Sequence, residues 1–141
     1  MHKTTFFKPQ ELVSKWLFDN INRDIIFQLF DNRLLLTIDY LRTRYGKMVI
    51  NNWSTGGNLN DCGFRDSNSK TGTIFSQHRY GRAIDLHPTE TTVDLIRSDI
   101  INKKYPDTFK YITCIEMDVS WLHIDCRNHS VLNNGIKLIY G

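Results

Sequence analysis

The sequence predicts an α+β domain in which helices cover a sheet. Three features predict it. Apolar residues recur at helical spacing in the first third of the chain, a Gly-, Ser-, Asn- and Asp-rich stretch without periodicity fills the middle, and apolar and polar residues alternate in the last third.

Lys8-Pro9-Gln10-Glu11 followed by Leu12, Val13, Trp16 and Leu17 reads as a helix with Pro in its first turn, ending near Asn20. A longer helix is expected over residues 27–45, with Leu29, Phe30, Leu34, Ile38 and Leu41 as its apolar stripe and Gly46 as its stop. Residues 47–53 (KMVINNW) read as a strand. The long polar loop that follows is uncommon inside a compact domain unless it binds or reacts with something. After it come residues 74–78, a turn at Gly81 and a short strand over 83–86. A helix is expected over roughly 91–103, with Val93, Leu95, Ile96 and Ile100 on its buried side. Residues 111–116 and 121–125, broken around 118–120, pattern as a β-hairpin, and residues 136–140 as a final strand.

At 141 residues the chain fits one domain. N-terminal helices are expected at about 9–45 and the core that carries the chemistry at about 47–127. The hydrophobic fraction of 40% and charged fraction of 23% exclude a disordered or fibrous chain. A net charge of +3 comes from scattered Lys and Arg, which gives no footprint for nucleic acid. The three cysteines, Cys62, Cys114 and Cys126, show no CxxC spacing and are expected to be reduced and mostly buried. No signal-peptide or membrane-spanning stretch is apparent, so the expected compartment at synthesis is the cytoplasm, with no membrane partner.

The chemistry concentrates in Ser76-Gln77-His78-Arg79-Tyr80-Gly81-Arg82-Ala83-Ile84-Asp85. His78 and Asp85 are seven residues apart, a spacing that brings the side chains together only if the backbone turns between them, as Gly81 permits. Strand alternation puts Ile84 and Leu86 on one face and Asp85 on the other, looking across at a neighbouring strand. The hairpin offers that neighbour, because Trp121, His123 and Asp125 share a face opposite Leu122 and Ile124. Two imidazoles and one carboxylate suit zinc, which keeps its fourth position for water in catalytic sites. A carboxylate base is normally still needed to move the proton.

The SxHxxGxAxD pattern of Ser76, His78, Gly81, Ala83 and Asp85, with the downstream Trp121 and His123, resembles the zinc D-Ala-D-Ala carboxypeptidase and L-alanyl-D-glutamate endopeptidase family. That family includes phage endolysins and shares its fold with the Hedgehog signalling domain. The resemblance runs over residues 53–127. It implies a central antiparallel sheet with flanking helices, Zn2+ held by His78, Asp85 and His123, and cleavage of a peptidoglycan stem peptide by a phage-encoded enzyme. It also implies that Arg65, in Gly63-Phe64-Arg65, binds substrate or steadies its carbonyl oxygen. The family often places its general base three residues before the last His, where this chain has Ser120. Glu116 and Asp118 are the remaining candidates, and Glu116 is preferred because a strand holds a side chain more rigidly than a turn does.

Ser76 and Gln77 are candidates for hydrogen bonding to substrate or to nearby backbone. Asp125 either orients a ligating imidazole or is an ordinary strand residue. The expected function is hydrolysis of a D,D or L-Ala-D-Glu peptide bond by a monomer, unless the protein is part of a virion. The alternative is a zinc-binding virion or interaction protein that has kept the fold and lost turnover.

Overall fold

A computed structural model describes residues 1–129 and 135–140. Its helices are α1 (Pro9–Leu12), α2 (Lys15–Asn20), α3 (Asn32–Tyr45), α4 (Val93–Ile101) and α5 (Pro106–Phe109). The strands are β1 (Met48–Val49), β2 (Ala83–Pro88), β3 (Cys114–Glu116), β4 (Leu122–Asp125) and β5 (Lys137–Ile139), and the sheet order is β1-β2-β4-β3-β5. The architecture is α+β, as expected. The first four strands are antiparallel neighbours, but β5 runs parallel to β3, pairing Ile115 with Leu138, so the sheet is mixed.

The expected N-terminal helix is broken at Val13, which is extended. Its carbonyl accepts from the Asn51 side chain at 3.1 Å and from Trp53 Nε1 at 2.9 Å, while Leu12 O accepts from Phe64 N. Carbonyls that would close a helical turn instead hold the segment beneath the long loop. Ser14 then caps α2, accepting from Leu17 N. The long helix also starts later than expected, because Asp31 caps it and donates its own N–H to Gly81 O; residues Arg23–Leu29 form a 3-10 turn instead. β1 is shorter than residues 47–53, since Asn51 turns inward, 2% exposed, to accept from Cys62 N.

Ile84, Leu86, Ile115, Leu122 and Ile124 point from one face of the sheet into a core shared with Leu34, Leu35, Ile38, Leu41, Ile96 and Ile100. Each such side chain contributes about 1.5–3 kcal/mol on burial. On α4 the expected stripe is wrong at Leu95, which is 48% exposed, while Arg97 is buried. The helix faces the hairpin, and a polar contact described below takes precedence over an apolar one. Cys62 is half-buried, Cys114 and Cys126 are buried, and all three are free thiols. Among the described residues no helix is long and apolar enough to cross a membrane.

Candidate metal centre

The opposite face of the sheet carries the polar group. β2 and β4 pair in a register that sets Asp85 directly opposite His123. In that arrangement cross-strand side chains stand about 4.5–5.5 Å apart at Cβ. His78 arrives from a 3-10 turn, Gln77–Tyr80, that Ser76 caps and that ends at Gly81 with φ +67°. A side chain at Gly81 would both strain that backbone and strike Leu29 O.

His78 Nε2 lies 3.3 Å and His123 Nδ1 2.8 Å from Asp85 Oδ1. All three residues are buried, and one ligand atom from each lies within 4.8 Å of the other two. Tetrahedral coordination at about 2.0–2.1 Å puts neighbouring ligand atoms about 3.3 Å apart, close to what is seen. The outer contacts assign the inner atoms. His78 Nδ1 donates to Gly63 O at 2.9 Å, which turns Nε2 towards Asp85. His123 Nε2 donates to Asp125 Oδ2 at 2.8 Å, which leaves Nδ1 facing inward. Each imidazole is thus oriented from behind by an acceptor, as in histidines that bind metals. The group can hold a metal ion.

Electrostatics fit the same reading. Burial alone would raise the Asp85 carboxyl, but hydrogen bonds from His123 and His78 outweigh it and hold Asp85 well below the usual carboxylate range. Burial opposes a charge on His123, yet the Asp125 and Asp85 carboxylates raise it to about 9. A second positive charge is what both faces of this imidazole call for, and a metal at Nδ1 supplies it while Nε2–H stays with Asp125.

The group sits in a cleft of about 490 Å³ whose lining includes Arg65, Gln77, Glu116, Trp121 and Arg127. Glu116 Oε1 is 3.7 Å from His123 Nδ1, and its side chain is 27% exposed. Asp118 is exposed in the hairpin turn and does not line the cleft. Arg65 spends three of its five donors: Nε on Asp61 O, Nη1 on Ser76 Oγ and Nη2 on Asp85 Oδ2 at 3.3 Å. Ser76 therefore serves the turn and Arg65 in this state. Gln77 Oε1 and Trp121 Nε1 are buried without a hydrogen-bond partner among the described residues.

The loop wall of the cleft is pinned from outside. A Cβ on Gly63 would lie 1.9 Å from Leu12 O, so only glycine allows the approach that sets Gly63 O on His78. Cys62 O accepts from Asp85 N at 2.8 Å, extending the β1 side of the sheet after β1 itself has ended. Arg79 donates to the carbonyls of Asp66, Ser69 and Thr73 at 2.9–3.1 Å. Sequence reading did not single out Arg79, Arg97 or Arg127; isolated arginines carry no spacing signal. Asp125 is resolved as the partner of His123, fully buried and paired with Arg127 at 2.6 Å.

No family model, curated protein or solved structure matches this chain.

Proposed function

We propose that this protein is a zinc-dependent peptidase that hydrolyses a peptide bond in bacterial peptidoglycan, with Zn2+ held by His78 Nε2, Asp85 Oδ1 and His123 Nδ1. The observation that carries the reading is the convergence of those three atoms in the lining of a cleft, with the Glu116 carboxylate 3.7 Å from one of them. Zinc, when bound, supplies a Lewis-acidic charge that polarises a carbonyl and acidifies water at its open position.

The remaining work falls to the chain. Glu116 accepts the proton of the attacking water and returns it to the leaving amine; this assignment is favoured over Asp118 by position alone. Arg65 keeps two unused donors for a substrate carboxylate or carbonyl oxygen, while its contact with Asp85 Oδ2 keeps Oδ1 turned to the metal. Leaving a buried polar atom unpaired costs about 1–3 kcal/mol. Gln77 and Trp121 line the cleft, and their Oε1 and Nε1, buried and without partners among the described residues, would meet the N–H and C=O of an extended peptide after a side-chain rotation that exposes them.

Incubation with muropeptides, with and without a chelator, and mass analysis of the products tests the reading. Chelator-sensitive release of an amino acid or peptide, strongly reduced but still measurable in Glu116→Gln, is expected; it also separates carboxypeptidase from endopeptidase cleavage. Ser120, standing where a base is often found, supports a second reading: a zinc-binding interaction protein without turnover. Stoichiometric zinc with no release from any muropeptide would favour it.

A further inference from the structure

Arg97 is 5% exposed on α4, whose other buried residues are the aliphatic Ile96 and Ile100 and Asp99, which accepts from Tyr45 OH at 2.7 Å. Burying a guanidinium costs several kcal/mol unless it is fully hydrogen-bonded. Its one carboxylate contact among the described residues is Asp94 Oδ1 at 3.2 Å, and that side chain is 94% exposed, a pairing too solvated to offset the cost. What the guanidinium does have is backbone: Nε donates to Glu116 O at 3.0 Å, and Nη2 donates to Val119 O and to Trp121 O at 2.8 Å. One side chain thus ties both ends and the middle of the segment that joins β3 to β4.

That segment needs tying. The β3–β4 pairing covers only Cys114 with Asp125 and Ile115 with Ile124, so Glu116 lies past the last pair. On its other side it is held by β5, through Glu116 opposite Ile139 and Met117 N donating to Ile139 O at 2.8 Å. Towards β4, Arg97 stands in for the missing ladder. No aliphatic side chain at this position of α4 can bind three carbonyls, which accounts for the buried guanidinium.

We infer that Arg97 is a positioning residue that fixes the Glu116 carboxylate and the Trp121 ring against the metal-binding group from behind. It touches neither substrate nor metal and acts through the carbonyls of residues 116, 119 and 121. This rests on the role of Glu116 given under the proposed function.

A double-mutant cycle on the zinc-loaded protein tests it, combining Arg97→Met with Glu116→Gln. Arg97→Met should retain one zinc per chain and lower kcat on a muropeptide about 10- to 100-fold, the range a misplaced catalytic group costs, with KM changed less than about threefold. Arg97→Lys should recover part of the loss. In the Glu116→Gln background Arg97→Met should cost less than about twofold more, because its effect runs through a group already disabled. An equal loss in both backgrounds, or zinc lost in step with activity, would overturn the inference.

Hydrogen exchange gives a readout that needs no turnover. Amides of residues 117–121 should exchange at least about tenfold faster in Arg97→Met while those of residues 84–86 are unchanged. Uniform acceleration, or none at 117–121, would contradict it. If the wild type releases no peptide, the functional reading fails and the exchange result alone decides whether Arg97 holds the hairpin. If Arg97→Met does not fold, Arg97→Lys carries both comparisons.

Discussion

The two walls of the cleft are ordered by different means. The hairpin wall, which brings Glu116, Trp121 and His123, grows out of a strand ladder, and its register alone sets His123 opposite Asp85. The loop wall, which brings Arg65, Gln77 and His78, has no ladder of its own. It depends on remote pins: Leu12 O on Phe64 N, the Asn51 side chain on Cys62 N, and Arg79 on three carbonyls. Both walls use one guanidinium to gather three carbonyls where regular structure gives out. The lesson is that a ladder places a ligand by counting residues, whereas a loop places one only through partners far away in the chain.

The sharpest way to break that contrast is Gly63→Ala. Its methyl meets Leu12 O at 1.9 Å, so backbone must move, and overpacking of this kind costs about 1–3 kcal/mol or more. A lower Tm and weaker metal binding through a displaced His78 are expected; an unchanged melt would show that the wall does not need this pin.

Arg79→Met should act more gently, and on a different parameter from Arg97→Met. Losing three side-chain-to-carbonyl bonds that are half exposed should cost about 1–2 kcal/mol in stability. Zinc should be retained, and KM should rise more than kcat falls, because under the proposed function this wall carries substrate contacts and not the base. If kcat alone falls, the division of labour between the walls is wrong.

The smallest effect is the pH profile of the metal-free protein. His123 is raised from 6.5 to about 9, so its contribution to stability is fully present below pH 6.5 and lost as pH rises through 9. Asp85 and Asp125 are lowered, so theirs is present above 3.8 and lost as pH falls below it. Melting after chelation should therefore be highest between about pH 4 and 6.5 and decline towards 9. A flat profile from 6.5 to 9 would mean that His123 is not held between its two carboxylates.

The same contrast governs what the sequence made legible. Alternation of Ile84, Asp85 and Leu86 against Leu122, His123 and Ile124 was enough to put two candidate ligands on one face, because strand geometry is local. Gly81 marked the turn that returns His78 to them. The break at Val13 was hidden because its causes, Asn51 and Trp53, lie some forty residues on. The late start of α3 was hidden likewise, since Asp31 spends its N–H on Gly81 O. Arg97 lay outside the stripe expected through Leu95, and only the hairpin packed against the helix shows that Arg97 is buried and Leu95 exposed. Between Glu116 and Asp118 the choice turned on where β3 ends, which residue patterns leave uncertain by a residue or two.

The central claim is that His78, Asp85 and His123 form one metal site. Isothermal titration of the chelated protein with zinc, against His78→Ala, Asp85→Ala and His123→Ala, tests it most directly. One equivalent bound tightly by the wild type, and affinity lowered at least about 100-fold in each variant, is the expected result. Equal binding by the wild type and any one of the three variants would contradict it.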